Sequence, residues 1–125
     1  IKFKSNQSDK SNFSKFNRNR YDIKKVFFSK SELTSILSLY SKQVSKGLWK
    51  DYALDSQSET AIFSVFRHTH DKPIYQIMKK RFKGPKNKCE FCILKDAALI
   101  SKSSDLLNIL NKLEKKLSIR KFQFN

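Results

Sequence analysis

Apolar and polar residues alternate most regularly along residues 48–82, and this alternation predicts a β-meander. Residues 61–66, AIFSVF, form a short apolar run rich in β-branched and aromatic side chains, between the polar clusters DSQSE and HTHDK. Such a run is typical of a central strand with both faces covered. A second run, at 74–78, is opened by Pro73, which is tolerated at the first position of a strand. Residues 49–54 predict a weaker strand before them.

The segment before the meander has a helical period. Residues 29–32, SKSE, match a capping box, in which the Ser29 hydroxyl accepts from the third helical amide and Glu32 reaches back. Gly47 suits the position that follows a helix end. Apolar residues fall on one stripe between these two signals: Leu33, Ile36, Leu37, Tyr40 and Val44.

A second helix is predicted near the C terminus. The polar break at 101–105 offers Ser103 or Ser104 as its cap, and Asp105 suits the positive end of the helix. Residues 118–125 are expected to form either an added strand or an extended arm. The apolar stripe of this helix consists of Leu106, Leu107, Leu110, Leu113 and Leu117.

These elements predict an α+β fold with one helix, an antiparallel sheet of four or five strands in meander order and a second helix. Both helices are expected to pack on one face of the sheet. A chain of 125 residues supports one domain, which we place at residues 26–117. Residues 1–25 are a basic extension and residues 118–125 are a tail.

The composition adds a strong positive charge to this picture. Lys and Arg number 27 against 11 Asp and Glu, so the formal net charge is +16. This excess favours polyanionic partners, with nucleic acid first and an anionic membrane surface second. No apolar run approaches the roughly 18 residues of a membrane span, so we expect a protein that is not transmembrane. The extension at 1–25 is expected to be an RNA-binding arm or the remnant of a targeting sequence, and the two roles are not exclusive.

The densest charge lies in residues 79–88, KKRFKGPKNK, which hold six positive residues and no acidic one. The Gly84-Pro85 turn places this run at the end of one strand, in a loop and at the start of the next strand, where phosphate would offset the self-repulsion. Lys102 and the open amides around residues 103–104 are expected to add an anion site at a helix N terminus. The predicted phosphate contacts are Arg18, Arg20, Lys79, Lys80, Arg81, Lys83, Lys86, Lys88 and Lys102.

Four residues are of the type that binds zinc. Cys89 and Cys92 form a CxxC motif, and His68 and His70 would complete a set of four ligands. However, KCEFCIL has the character of a strand, which places residues three apart on opposite faces. We therefore predict that the cysteines pack in the sheet, without a metal or a redox role.

The sequence contains no catalytic constellation. With two glycines in the chain, there is no Gly-rich phosphate loop, and the carboxylates show no spacing typical of an acid–base pair. We therefore expect no enzymatic activity and no cofactor.

The segments SELTSILSLYSKQVSKGLWKDYALD, AIFSVFRHTHDKPIYQIMKK and LKDAALISKSSDLLNIL resemble a family of small alphaproteobacterial proteins of unknown function. The shared pattern is W-[RK]-[DE]-Y-A-[IL]-D, then A-x-F-S-[VI]-F-R-[RK], then P-[IL]-Y-x-I-x-K, and it covers about residues 26–117. The resemblance implies a helix, a series of strands and a closing Leu-rich helix, and it implies no activity. Members of the family have neither CxxC nor HxH at the matching positions. The matching residues are Trp49, Tyr52, Asp55, Phe63, Phe66, Arg67, Pro73 and Tyr75.

The lineage that this resemblance implies suggests a mitochondrial descendant of a bacterial protein. A small basic domain with basic extensions is typical of ribosomal proteins, whose tails lie between RNA helices. We therefore expect a non-catalytic, RNA-binding structural component of a ribosome, most simply in the mitochondrial matrix, in contact with ribosomal RNA and neighbouring ribosomal proteins. The alternatives are an accessory protein-interaction subunit of an inner-membrane complex and a nucleic-acid-binding regulator in an alphaproteobacterial cytoplasm.

Overall fold

The computed structural model describes residues 25–68, 71–82 and 88–123, with side chains up to Ser118. These residues form one antiparallel sheet of five strands, which neighbour each other in sequence order, and two helices. This architecture confirms the α+β fold and the meander. Helix α1 spans Lys30–Ser45 and α2 spans Leu106–Gln123; the strands are β1 (Asp51–Ser56), β2 (Thr60–Phe66), β3 (Tyr75–Arg81), β4 (Cys89–Lys95) and β5 (Ala98–Ser103).

Both helices pack on the same face of the sheet, as expected. On β2 the residues of this face, Ala61, Phe63 and Val65, are buried, because successive side chains of a strand point to opposite faces. The rings of Phe63 and Tyr52 stack with their centroids 4.7 Å apart. The core joins both helices to the sheet through Ile36, Leu39, Trp49, Tyr52, Phe63, Val65, Tyr75, Ile77, Phe91, Ile93, Leu106, Ile109, Leu110, Leu113 and Leu117.

The second face of the sheet differs from the expectation for β2. Ile62, Ser64 and Phe66 point away from the helices and are only partly buried, and no described helix lies over them. The prediction that both faces of this strand are covered is therefore wrong for the described part of the chain. An antiparallel sheet is able to leave one face uncovered, but the solvated face is then normally polar, and here much of it is apolar.

Helix α1 begins as the sequence predicts. The Ser29 hydroxyl accepts from the Glu32 amide at 3.1 Å, the Glu32 carboxylate accepts from the Ser29 amide at 2.7 Å, and Gly47 adopts a φ of 77° after the helix end. The predicted stripe is displaced at its C-terminal end. Val44 is 40% exposed, and the position that faces the core there is Gln43.

Gln43 is fully buried, and neither its amide nitrogen nor its amide oxygen has a hydrogen-bond partner among the described residues. It follows Ile36 and Leu39 at helical spacing, so the geometry of the helix places it towards the core. A buried polar group without a partner costs about 1–3 kcal/mol. An apolar stripe is identified from hydrophobic residues, so the polar Gln43 is not recognised as a core position from the sequence.

Helix α2 is capped by Asp105, where Ser103 or Ser104 was expected. An Asp105 carboxylate oxygen accepts from the Leu107 amide at 3.2 Å, while the Ser103 hydroxyl accepts from the Asp105 amide at 3.0 Å. Ile109 is buried and Leu107 is 56% exposed, which corrects the predicted stripe. The helix continues to Gln123, so residues 118–123 form neither a strand nor an extended arm. Among the described residues, no helix is long and apolar enough to cross a membrane.

Candidate nucleic-acid interface

The alternation of strand β3 divides the basic run of the sequence into two groups. Lys79 pairs with Ala61 and Phe91 in the neighbouring strands, which places it on the face that the helices cover. Lys80 lies on the opposite face, because successive side chains of a strand alternate. Arg81 returns to the side of Lys79. Residues that are adjacent in the sequence are thus separated by the thickness of the sheet.

Lys79 and Arg81 make contacts inside the fold. The Lys79 ammonium donates to a Glu32 carboxylate oxygen at 2.8 Å and to the Phe27 carbonyl at 3.0 Å, and its side chain is 14% exposed. The Arg81 guanidinium donates to the Ser58 carbonyl at 2.9 Å. These contacts attach the start of α1 and the β1–β2 turn to β3, so both cations have a structural role.

The pKa of Glu32 reflects this arrangement. Burial of the carboxylate raises its pKa, but the hydrogen bonds from Lys79 and Ser29 and the charge of Lys79 outweigh burial and hold the pKa below its ordinary value. Glu32 is therefore ionised at neutral pH, and it neutralises Lys79, whose side chain is largely shielded from solvent.

Lys80, Phe82 and Lys88 form a surface at the end of the β3–β4 hairpin, which we call the hairpin patch. The Phe82 amide donates to the Lys88 carbonyl at 2.9 Å, which holds the two hairpin arms together. The Phe82 ring is 43% exposed, and the Lys80 ammonium lies 5.8 Å from the ring centroid. Lys80 and Lys88 are exposed. The patch thus presents an open aromatic ring with positive charge beside it.

Four of the predicted phosphate contacts lie outside the described residues. Lys83 and Lys86 belong to residues 83–87, between β3 and β4 in the sequence, and Arg18 and Arg20 belong to residues 1–24. Their phosphate contacts stay predictions. Lys83 directly follows Phe82 of the hairpin patch in the sequence, and Lys86 is two residues before Lys88.

Lys102 lies on β5, on the face of the sheet that the described helices leave uncovered, where it pairs with Cys92. It is therefore not at the start of α2. At that helix end the Leu107 amide donates to the Asp105 carboxylate, an anion of the chain itself that lies at the positive end of the helix dipole. The structure separates the two features that were expected to form one anion site.

The cysteines have the geometry that a strand imposes. Cys89 and Cys92 lie on β4, and their spacing of three places them on opposite faces. Burial and the charge of Glu90 raise the pKa of the Cys92 thiol, and the nearby lysines only partly oppose this effect. His68 is exposed after β2, and His70 lies outside the described residues. Within the described ranges, no group of three or more potential metal ligands comes together.

Residues 26–110 match a family of proteins described as "Protein of unknown function (DUF2794)". The chain belongs to this family. The match begins at Val26, close to the first described residue, and extends through α1 and all five strands into α2. No curated protein and no solved structure matches the chain.

Within this DUF2794 domain, sequence reasoning missed one residue of the candidate interface. Phe82 lies in the middle of the basic run, and a lone aromatic residue among lysines was the available signal. Its exposure depends on where β3 ends. If β3 continued beyond Arg81, Phe82 would be one more paired residue within the sheet instead of an exposed ring after the end of the strand.

Proposed function

We propose that this DUF2794 protein is a non-catalytic, RNA-binding structural component of a ribonucleoprotein, and that the hairpin patch contacts single-stranded RNA. The observation that carries the proposal is the exposed Phe82 ring, with the Lys80 ammonium 5.8 Å from its centroid and the exposed Lys88 paired with it across the hairpin. Proteins bind single strands by stacking bases on aromatic rings while lysines follow the phosphates. The hairpin patch provides both groups within three side chains.

The charges of the hairpin support this proposal. Among the described residues, Lys80 and Lys88 form no ion pair, whereas Lys79 is neutralised by Glu32. The excess positive charge at this end of the hairpin opposes the compact state, and an RNA backbone would neutralise it. The patch lies within a chain of net charge +16, which would also speed the encounter with a polyanion.

The finer form of the proposal places the RNA in a ribosome, most simply a mitochondrial one. Its support is the alphaproteobacterial lineage that the sequence pattern implies, together with the basic extension at residues 1–25. Neighbouring ribosomal proteins would then be the other partners. The hairpin patch supports RNA contact in any ribonucleoprotein, so the two forms of the proposal are tested separately.

The test of RNA contact is the binding of the full chain to a labelled single-stranded RNA across a range of salt concentrations. Removing a stacked base contact costs about 1–3 kcal/mol, so Phe82→Ala should weaken binding roughly 5- to 150-fold. Lys80→Ala/Lys88→Ala should lower the slope of log affinity against log salt by about 1.4, since each phosphate contact contributes about 0.7.

The matched control is Lys46→Ala/Lys115→Ala, which removes the same charge from two exposed positions, one directly after α1 and one on α2. This variant should keep the affinity within a few fold of the parent chain. Equal losses in the control and in the lysine pair of the hairpin patch, with no effect of Phe82→Ala, would contradict the proposed site.

The finer form is tested by gradient sedimentation of the endogenous protein, with and without ribonuclease. Migration with a ribosomal subunit that is lost on digestion is the expected result. Migration with a detergent-solubilised complex, unchanged by nuclease, would overturn the ribosomal assignment and favour a protein-interaction subunit of a membrane complex.

A further inference from the structure

The face of the sheet opposite the helices carries two rows of side chains that cross all five strands. We call these ten residues the open face. The first row consists of consecutive cross-strand partners, and the second row lies beside it. The first row is Asp55, Ile62, Met78, Cys92 and Lys102; the second is Ala53, Ser64, Gln76, Leu94 and Leu99.

The first row ends in opposite charges. Asp55 lies on one edge strand and Lys102 on the other, and both are exposed. The Asp55 carboxylate accepts a hydrogen bond from the side-chain amide of Gln57 at 2.8 Å, and neither Asp55 nor Lys102 forms an ion pair with a described residue. The middle of the row is apolar, and Leu99 in the second row is 56% exposed. The open face thus has an apolar centre, an acidic edge and a basic edge.

We propose that two copies of the chain pack their open faces together as a β-sandwich. A two-fold axis parallel to the strands would place β1 of one copy over β5 of the other. Asp55 then meets Lys102 of the second copy, and Met78 meets its own equivalent next to the axis. An axis across the strands would instead place each edge over itself, with like charges together, so charge complementarity selects the first arrangement.

The dimensions of the open face suit such a dimer. Packed sheets lie about 10 Å apart, a gap that an aspartate and a lysine side chain together are long enough to span. The two rows of the open face lie within the whole face of the sheet, whose five strands at about 4.8 Å and six residues at about 3.3 Å measure roughly 24 by 20 Å. Two such whole faces packed together bury about 1,000 Å², which is the lower limit for a specific interface. We therefore expect a dissociation constant in the micromolar range.

The same symmetry brings both hairpin patches to one end of the dimer. Lys80 lies next to the axis at that end, where it repels its equivalent and weakens the dimer. Phe82 and Lys88 lie beyond Lys80 at the end of the strands, so these two members of each hairpin patch stay at the rim of the dimer and remain open to RNA. The dimer does not depend on the proposed function, because Asp55 and Lys102 are not part of the hairpin patch.

The test is the oligomeric state of the full chain without RNA, measured by sedimentation velocity over a range of protein concentrations. Each dimer contains two equivalent Asp55–Lys102 contacts. Asp55→Lys and Lys102→Asp should therefore each raise the dissociation constant at least about tenfold. The double reversal Asp55→Lys/Lys102→Asp should restore it to near the parent value, since the charges are exchanged and the faces are again complementary.

The matched controls are Asp71→Lys and Lys115→Asp, which reverse exposed charges away from the open face and should leave the dissociation constant unchanged. A chain that stays monomeric well above micromolar concentration would overturn the proposal. In that case the open face is covered by residues 1–24 or by a different protein. A dissociation constant that neither single reversal changes, or that the double reversal does not restore, would also overturn the proposal. The interface would then lie elsewhere on the chain.

Discussion

Glu32 joins two parts of the fold through one carboxylate oxygen. That oxygen accepts from the Ser29 amide at 2.7 Å and from the Lys79 ammonium at 2.8 Å. The first contact belongs to the capping box of α1, and the second attaches the helix to β3. A single side chain therefore completes a local motif and stabilises a tertiary contact.

The contribution of Glu32 should depend on pH with a defined sign. Because its pKa is lower in the folded state, the stabilisation is fully present above the ordinary glutamate pKa and is lost as the pH falls through the folded-state value. At neutral pH, Glu32→Gln should lower the free energy of unfolding by about 1–2 kcal/mol, and this difference should disappear in acid. Urea unfolding at a series of pH values measures it.

Thr34→Ala is a suitable control for the Glu32 prediction, since Thr34 lies on the same exposed turn of α1 and donates only to the Lys30 carbonyl. Its effect should not change with pH. A loss for Glu32→Gln that is the same at neutral and acid pH would show that the carboxylate charge is not what stabilises the contact.

At the scale of elements, α2 shows how the start of a helix depends on one side chain. Asp105 accepts from the Leu107 amide, and its negative charge lies at the positive end of the helix. Three candidate caps follow each other in the sequence, and all three residue types suit the position. Asp105 is the cap because it directly precedes Leu106, the first residue of the helix.

The choice of cap leads to a prediction that separates Asp105 from Ser104. Asp105→Ala should lower the free energy of unfolding by about 0.5–2 kcal/mol, because the Leu107 amide loses its acceptor. Ser104→Ala should have almost no effect, since Ser104 is exposed. Thermal unfolding of the two variants provides the comparison. A larger loss of stability for Ser104→Ala than for Asp105→Ala would show that Ser104 is the cap.

At the scale of the whole molecule, the positive charge opposes the compact state. The net charge of +16 is confined in a small domain, and excess charge of one sign destabilises folding through self-repulsion. A bound polyanion would remove this effect, and so would salt, because screening shortens the range of the repulsion to about 8 Å at physiological ionic strength.

We therefore expect the stability of the isolated chain to rise with ionic strength. Between about 10 mM and 150 mM KCl the gain should be roughly 0.5–1 kcal/mol, which corresponds to a rise of about 2–8 °C in Tm. The variant Lys46→Glu/Lys115→Glu lowers the net charge by four and should show a weaker dependence. A Tm that falls with salt in the parent chain would mean that attractive ion pairs outweigh the overall repulsion.

Much of the fold follows from local patterns in the sequence. The apolar run at 61–66 becomes β2, the capping box at Ser29 starts α1, and the two basic strand ends flank a hairpin as Gly84-Pro85 indicated. These features depend on short-range geometry, namely the strand period, cap hydrogen bonds and turn residues. The candidate site is less accessible to this reasoning. The basic run was visible, but its division between Lys79 and Lys80 follows from the faces of β3 and from the position of Glu32.

The sequence by itself determined the type and order of the elements, because each is encoded by residues within one or two turns or strand periods. Only the tertiary structure decided which side of each element is covered. A period of two shows that a strand has two faces, but the helices that cover one of them come from distant parts of the chain. The row from Asp55 to Lys102 exists only because four strand registers align it, and register is a property of the assembled sheet.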